Sequence, residues 1–237
     1  MAEPEPILLK YRFLFEEGIE KVFDIHLHAR SCRMLKPRSD PANYPDWTRL
    51  DYKQCRNCPL SKAEYSHCPV AVNLAEVVEF FEDYPSIQTA SVSVETSTRI
   101  ILRKQSKLFP GLSSMIGIFM VTSGCPIMDP LRPMARFHLP FADTDETIYR
   151  AFSMYALAQC LRQAKSQEPD WNFEKLRMIY SEINTLNIDF AQRLRNDSVN
   201  EATTNAITSL DCFAQQIDFS ISEDMLDEIE SLFEGYL

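Results

Sequence analysis

The stretch Gln54–Val70, QCRNCPLSKAEYSHCPV, constrains this chain more than any other, because it sets three thiols within fourteen residues. Cys55 and Cys58 have C-x-x-C spacing, and Cys68 follows after nine intervening residues. In a reducing compartment, thiols crowded in this way serve a metal more often than a disulfide. The fourth is expected to be Cys125, in SGCP. Cys58, Cys68 and Cys125 are each followed directly by proline, whereas Cys32, Cys160 and Cys212 are not. One site made of Cys55, Cys58, Cys68 and Cys125 would tie a loop to a segment remote in the chain.

Tetrahedral zinc accepts four thiolates, and so does an iron–sulfur cluster. Spacing does not separate them. Zinc knuckles commonly place a glycine soon after the second cysteine, where Pro59 and Leu60 stand here; Cys-Pro is a familiar ending of ferredoxin-type motifs, but their compact run of three cysteines is missing. Zinc is the leading expectation and an iron–sulfur cluster the alternative, with ordinary core cysteines as the bland reading. Two histidines stand near the thiols. His67 directly precedes Cys68, which places it beside the site rather than in it, and His138 reads more simply as a core histidine than as a ligand.

Arg132, Arg136 and His138 fall in a proline-rich segment, DPLRPMARFHLP, and on a strand they would share one face as an anion-binding patch. The plainer reading pairs the arginines with Asp129, Asp143 or Asp145. His26 and His28, two apart on an expected strand, are read as a solvent-facing or hydrogen-bonded pair. No nucleophilic motif is present: Ser113-Ser114 lacks the G-x-S-x-G elbow, five glycines form no phosphate loop, and Cys160 and Cys212 are expected on apolar, buried helix faces.

With 237 residues, 45% of them hydrophobic, the chain has enough apolar side chain for a sizeable core. Acids exceed bases by 34 to 24, which argues against a nucleic-acid partner. Neither a signal peptide nor a membrane span is expected, since MAEPEPILLK lacks a basic and apolar leader and the longest apolar run, near Met115–Val121, falls far short of about 20 residues. A cytoplasmic protein follows from these expectations.

Alternation predicts strands at Tyr11–Phe15 and Val22–Leu27, then at Ile87–Val94 and Arg99–Leu102, giving two hairpins and an antiparallel sheet of about four strands. Lys36–Trp47, with three prolines, reads as irregular. A helix starts at Cys68-Pro69 and runs to about Tyr84, and a buried one over Leu112–Thr122 delivers Cys125. Asp143-Thr-Asp-Glu146 has the form of a capping box before a helix to Ala164. Further helices run to about Leu194 and through Ala206, Leu210, Phe213 and Ile217, with an acidic segment at Glu223–Phe233. The expected fold is one α+β domain over 1–237, with sheet, metal loop and buried helix in 1–140 and a helical layer in 141–237.

The run SGCPIMDPLRPMARFHLPFADTDETIYRAFSMYALAQ, with NCPL and CPVAVNL before it, resembles a family of bacterial proteins known only as a domain of unknown function. The resemblance covers nearly the whole chain and implies a bacterial, cytoplasmic setting. It implies no activity, cofactor or site residue. A site closed by four protein ligands leaves no position for substrate, so the expected role is a non-enzymatic adaptor or sensor with another protein as partner. The alternative is an iron–sulfur redox protein or enzyme that binds a small anion near Arg132, Arg136 and His138.

Overall fold

The computed structural model describes residues 5–35, 44–85, 87–195, 201–220 and 230–237. β1 (Ile7–Phe15) and β2 (Glu20–Leu27) form a hairpin, and β3 (Thr89–Glu95) and β4 (Ile100–Lys107) form another. β3 adds antiparallel to β1, so the order is β2-β1-β3-β4. Successive strand residues face opposite ways. Leu9, Tyr11, Phe13 and Phe15 of β1 therefore fall on one buried face with Phe23, Ile25 and Leu27 of β2 and Ala90, Val92 and Val94 of β3. β4 is an edge strand, largely exposed.

The helices among the described residues are α1 (Pro69–Phe80), α2 (Leu108–Val121), the single turn α3 (Pro133–Arg136), α4 (Thr144–Ala164), α5 (Glu174–Arg195) and α6 (Glu201–Ser220). The expected α+β architecture, with a four-stranded antiparallel sheet followed by helices, is the architecture found. α1 starts with Pro69 in its first turn, where a missing N–H breaks no bond. Its end brings Phe80, Phe81 and Tyr84 against Phe13, Phe15 and Phe23; Phe13 and Phe81 meet edge-on, 5.2 Å between ring centres. α1 ends at Phe80, short of the expected Tyr84.

α2 is the central helix, buried on almost every side, with β3 and α1 against it and α6 packed along it. It begins four residues earlier than its apolar run suggested. Pro110 fits within the first turn, and Gly111 serves a close approach: a Cβ there would stand 2.9 Å from Cγ2 of Val92. α5 and α6 pack together outside α2, and α4 is held by the expected capping box, Asp143 accepting from the Glu146 N–H at 2.9 Å and Glu146 from the Asp143 N–H at 3.0 Å. One contiguous core runs from β1 to α6. No helix among the described residues is long and apolar enough to cross a membrane.

Three expectations touch residues outside the described set: most of the proline-rich connection (36–43), most of the acidic tail (221–229), and the Phe213 and Ile217 side chains. Another is corrected. Cys160 and Cys212 are exposed, because α4 and α6 turn those positions away from the core.

Gly111→Ala should destabilise the protein by about 1–3 kcal/mol through overpacking against Val92, and Val92→Ala in the same chain should recover part of the loss. Urea denaturation of the single and double variants reads both; a stabilised Gly111→Ala would contradict the close approach. Asp170, between α4 and α5, makes a pH-dependent contribution. Burial works against its charge, but the Tyr155 O–H at 2.5 Å and the Lys175 N–H at 2.9 Å outweigh it and hold its carboxyl below the ordinary value. A lowered folded pKa stabilises above the unfolded value of about 3.9 and loses that stabilisation as pH falls through the folded one. Asp170→Asn should thus be less stable than wild type near neutrality, the gap closing below about pH 4.

Candidate functional site

The cysteine loop is closed at its base by main-chain pairing. Arg49 bridges antiparallel to His67, the Leu50 N–H donates to the Ser66 carbonyl at 3.0 Å, and the Cys68 N–H to the Thr48 carbonyl at 2.8 Å. α5 then fastens it from the side. The fully buried Arg193 guanidinium donates through Nη1 to the carbonyls of Trp47 (2.9 Å) and Arg49 (2.8 Å), and through Nη2 to that of Lys53 (3.2 Å). Asp189, one turn earlier, accepts from the Arg56 N–H at 2.8 Å and from its Nε at 3.1 Å. Asn57 donates to the Glu182 carbonyl at 2.9 Å.

So held, the loop turns Cys55, Cys58 and Cys68 toward a cavity of about 10 Å3, and Cys125 enters the same wall from the turn after α2. Leu60, Val70, Ile127, Leu186 and Phe190 complete it, so the thiols look into hydrocarbon. Burial pushes the Cys55 thiol up to about 12 and Cys125 to about 11, and raises Cys68 as well. Arg193 opposes this at Cys55 and Cys68. The Cys-Pro repeat has a local consequence. Proline offers no N–H, and the main-chain N–H groups of the next two residues, Val70 and Ala71 at Cys68 and Ile127 and Met128 at Cys125, favour thiolate, although the Met128 N–H makes its hydrogen bond to the Cys125 carbonyl at 3.1 Å. At Cys68 these N–H groups close no full cap hydrogen bond to the sulfur. As folded here, no group of three or more His, Cys, Asp or Glu side chains among the described residues is arranged to hold a metal ion. The four thiols share a cavity but do not form a coordination shell.

The other expected site residues part company. Residues 129–136 fold as a 3-10 turn and α3, not as a strand, so the shared strand face of Arg132, Arg136 and His138 does not form; prolines 130 and 133 suit helix starts. Arg132 pairs with Asp129, as the plainer reading held, and together with the exposed Arg136 its charge bears on the buried thiol of Cys32. His67 bonds Ser66 Oγ at 2.9 Å, and His28 Nδ1 accepts from the Ser31 N–H at 3.1 Å.

His138 faces inward. Its Nε2 meets the Tyr11 hydroxyl and lies 3.4 Å from Ser114 Oγ, while Tyr11 and Ser114 are 2.9 Å apart. Though half-buried at the edge of a second cavity, the imidazole is packed tightly enough that burial, with help from the Arg150 charge, lowers its pKa to about 3. The closer partner of Nε2 is the tyrosine rather than the serine, so the three side chains form one polar network. The second cavity is large, about 400 Å3, and is walled by α2, α4, α5, α6 and the turns after α2. Nothing in the linear pattern marked it, because its polar members, among them Ser113 and Ser114 of α2, Arg150 of α4 and Asn187 of α5, come from three helices.

A family model described as a domain of unknown function, DUF6901, matches residues 9–234. The chain belongs to this family. No curated protein and no solved structure matches. Membership of the DUF6901 family thus brings no activity.

Removing the Arg193 guanidinium strands three carbonyls of the loop. An unpaired buried polar group costs about 1–3 kcal/mol, so Arg193→Met, which keeps most of the volume, should lose at least about 2 kcal/mol of stability. Limited proteolysis should then cut first within residues 44–68; unchanged stability and cleavage would show that the loop is held otherwise.

Proposed function

We propose that Cys55, Cys58, Cys68 and Cys125 hold one zinc ion, and that the chain is a metal-stabilised, non-enzymatic domain that works as an adaptor or sensor. The observation that carries this reading is the arrival of Cys125, from beyond α2, in the cavity wall that the loop cysteines share. Charge supports it. Four thiolates around a divalent ion make a dianion, and beside them lies a buried guanidinium, Arg193, that no carboxylate pairs with among the described residues. The main-chain N–H groups that follow Cys68 and Cys125 favour their thiolates in the same sense.

From the arrangement seen here, ligation requires the sulfurs to close to about 2.3 Å from one ion. A cavity of about 10 Å3 is the size of one small atom or water. That favours a single ion over the iron–sulfur alternative, whose several iron and sulfide atoms would have to force the wall apart. The anion-binding alternative loses support where Arg132 pairs with Asp129 and His138 turns to Tyr11.

Metal analysis of protein purified without oxygen should find one zinc per chain. Cys58→Ser should lose it and several kcal/mol of stability, while Cys160→Ser, at an exposed thiol, should keep both. A brown protein absorbing near about 400 nm would assign a cluster instead. Metal-free wild type, melting like Cys58→Ser, would reduce the four cysteines to core residues.

A further inference from the structure

Among the described residues, the larger cavity shares no lining residue with the thiol cavity. Its volume of about 400 Å3 falls within the roughly 300–1,000 Å3 of small-molecule sites. Its wall is mostly apolar, yet two buried polar atoms in it, Ser113 Oγ and Asn187 Oδ1, have no hydrogen-bond partner. Buried polar atoms are almost always paired, and a bound molecule with a complementary group would pair these.

The wall also holds a cation without an anion. Arg150 is half-buried; its Nη2 donates to the carbonyls of Phe137 (2.8 Å) and Met134 (3.3 Å), and no carboxylate among the described residues lies within ion-pair distance of it. Among the described residues Asp143 is the one carboxylate in the lining, and it caps α4 through the Glu146 N–H. Glu146 in turn accepts from the Asp143 N–H. Arg103, at the exposed part of the lining, lies over the Phe141 ring and adds a second positive charge.

We propose that this cavity binds an amphipathic carboxylate, its hydrocarbon body in the apolar space and its head on the Arg150 guanidinium. A guanidinium presents a planar fork that fits a carboxylate, and with Arg103 at the exposed edge, Arg150 is the guanidinium set within the apolar wall, which suits a monoanion better than a phosphate. The Ser113 hydroxyl and the Asn187 amide, which can turn to present either end, meet any further polar atom along the ligand.

Calorimetric titration of the full chain with decanoate, and with decanol as its uncharged counterpart, tests this. Decanoate should bind one to one and more tightly than decanol. Arg150→Met should weaken decanoate roughly tenfold or more and leave decanol unchanged. Gly117→Leu should abolish binding of both, since a side chain there points past Leu210 Cδ2, 3.7 Å from the added Cβ, into the cavity. The proposal is overturned if decanoate shows no saturable binding, if the two probes bind wild type equally, or if Gly117→Leu still binds decanoate. Should Arg150→Met not fold, the ratio of the two probes on wild type decides.

Discussion

The cysteine loop depends on one buried cation. Between Asp46 and Cys68 the chain has a single 3-10 turn and a few bridging bonds, too little regular structure to satisfy its own carbonyls. Arg193 supplies the missing donors from outside, three of them from one planar group, and so fixes the loop to α5 as a rigid unit. Burying a guanidinium is costly unless its donors are filled. Carbonyl oxygens fill them only partly here, for Nε is left without a partner. A negative centre at the adjoining thiols would offset what the carbonyls leave, which links the loop's architecture to the chemistry proposed for it.

α2 plays the corresponding part for the larger cavity. It is apolar enough to be the core's axis, and Gly111 lets it approach β3 more closely than any side chain would permit. Its two adjacent serines have different fates because successive helix residues point about 100° apart. Ser114 turns to Tyr11 and His138 and accepts from the Phe141 N–H at 3.3 Å, whereas Ser113 is buried unpaired in the cavity wall.

What could be read from the chain alone is what short-range physics determines. Period-two alternation located the strands, proline in a first turn located α1, and the capping box of Asp143 and Glu146 located α4. The Cys-Pro repeat sets Cys58, Cys68 and Cys125 apart from the other cysteines, and Cys125 lines the cavity that the loop cysteines share. Arg193 was not legible: on the linear pattern it is one more basic residue in the last turn of a helix, where the macrodipole already accounts for it. The network of Tyr11, Ser114 and His138 was equally hidden, since its members lie on a strand, a helix and a turn. The segment 129–136 misled because alternation of Arg132, Arg136 and His138 resembles a strand face, while its prolines start helical turns.

The two cavities are not separate features of the fold, because α5 is a wall of both. Tyr180, Ile183 and Asn187 recur at helical spacing along the face toward the larger one, and Leu186, Phe190 and Arg193 along the face toward the thiols and their loop. The turn after α2 is shared in the same way: Ile127 lines the thiol cavity, and Met128, whose N–H donates to the Cys125 carbonyl at 3.1 Å, lines the larger space. Drawing Cys125 into a coordination shell would therefore act on a residue that touches whatever occupies the other cavity. Such an arrangement couples two sites only if each occupant favours the same placement of the shared wall, and Met128, hydrogen-bonded to the Cys125 carbonyl and lining the larger cavity, is where that preference would have to be expressed.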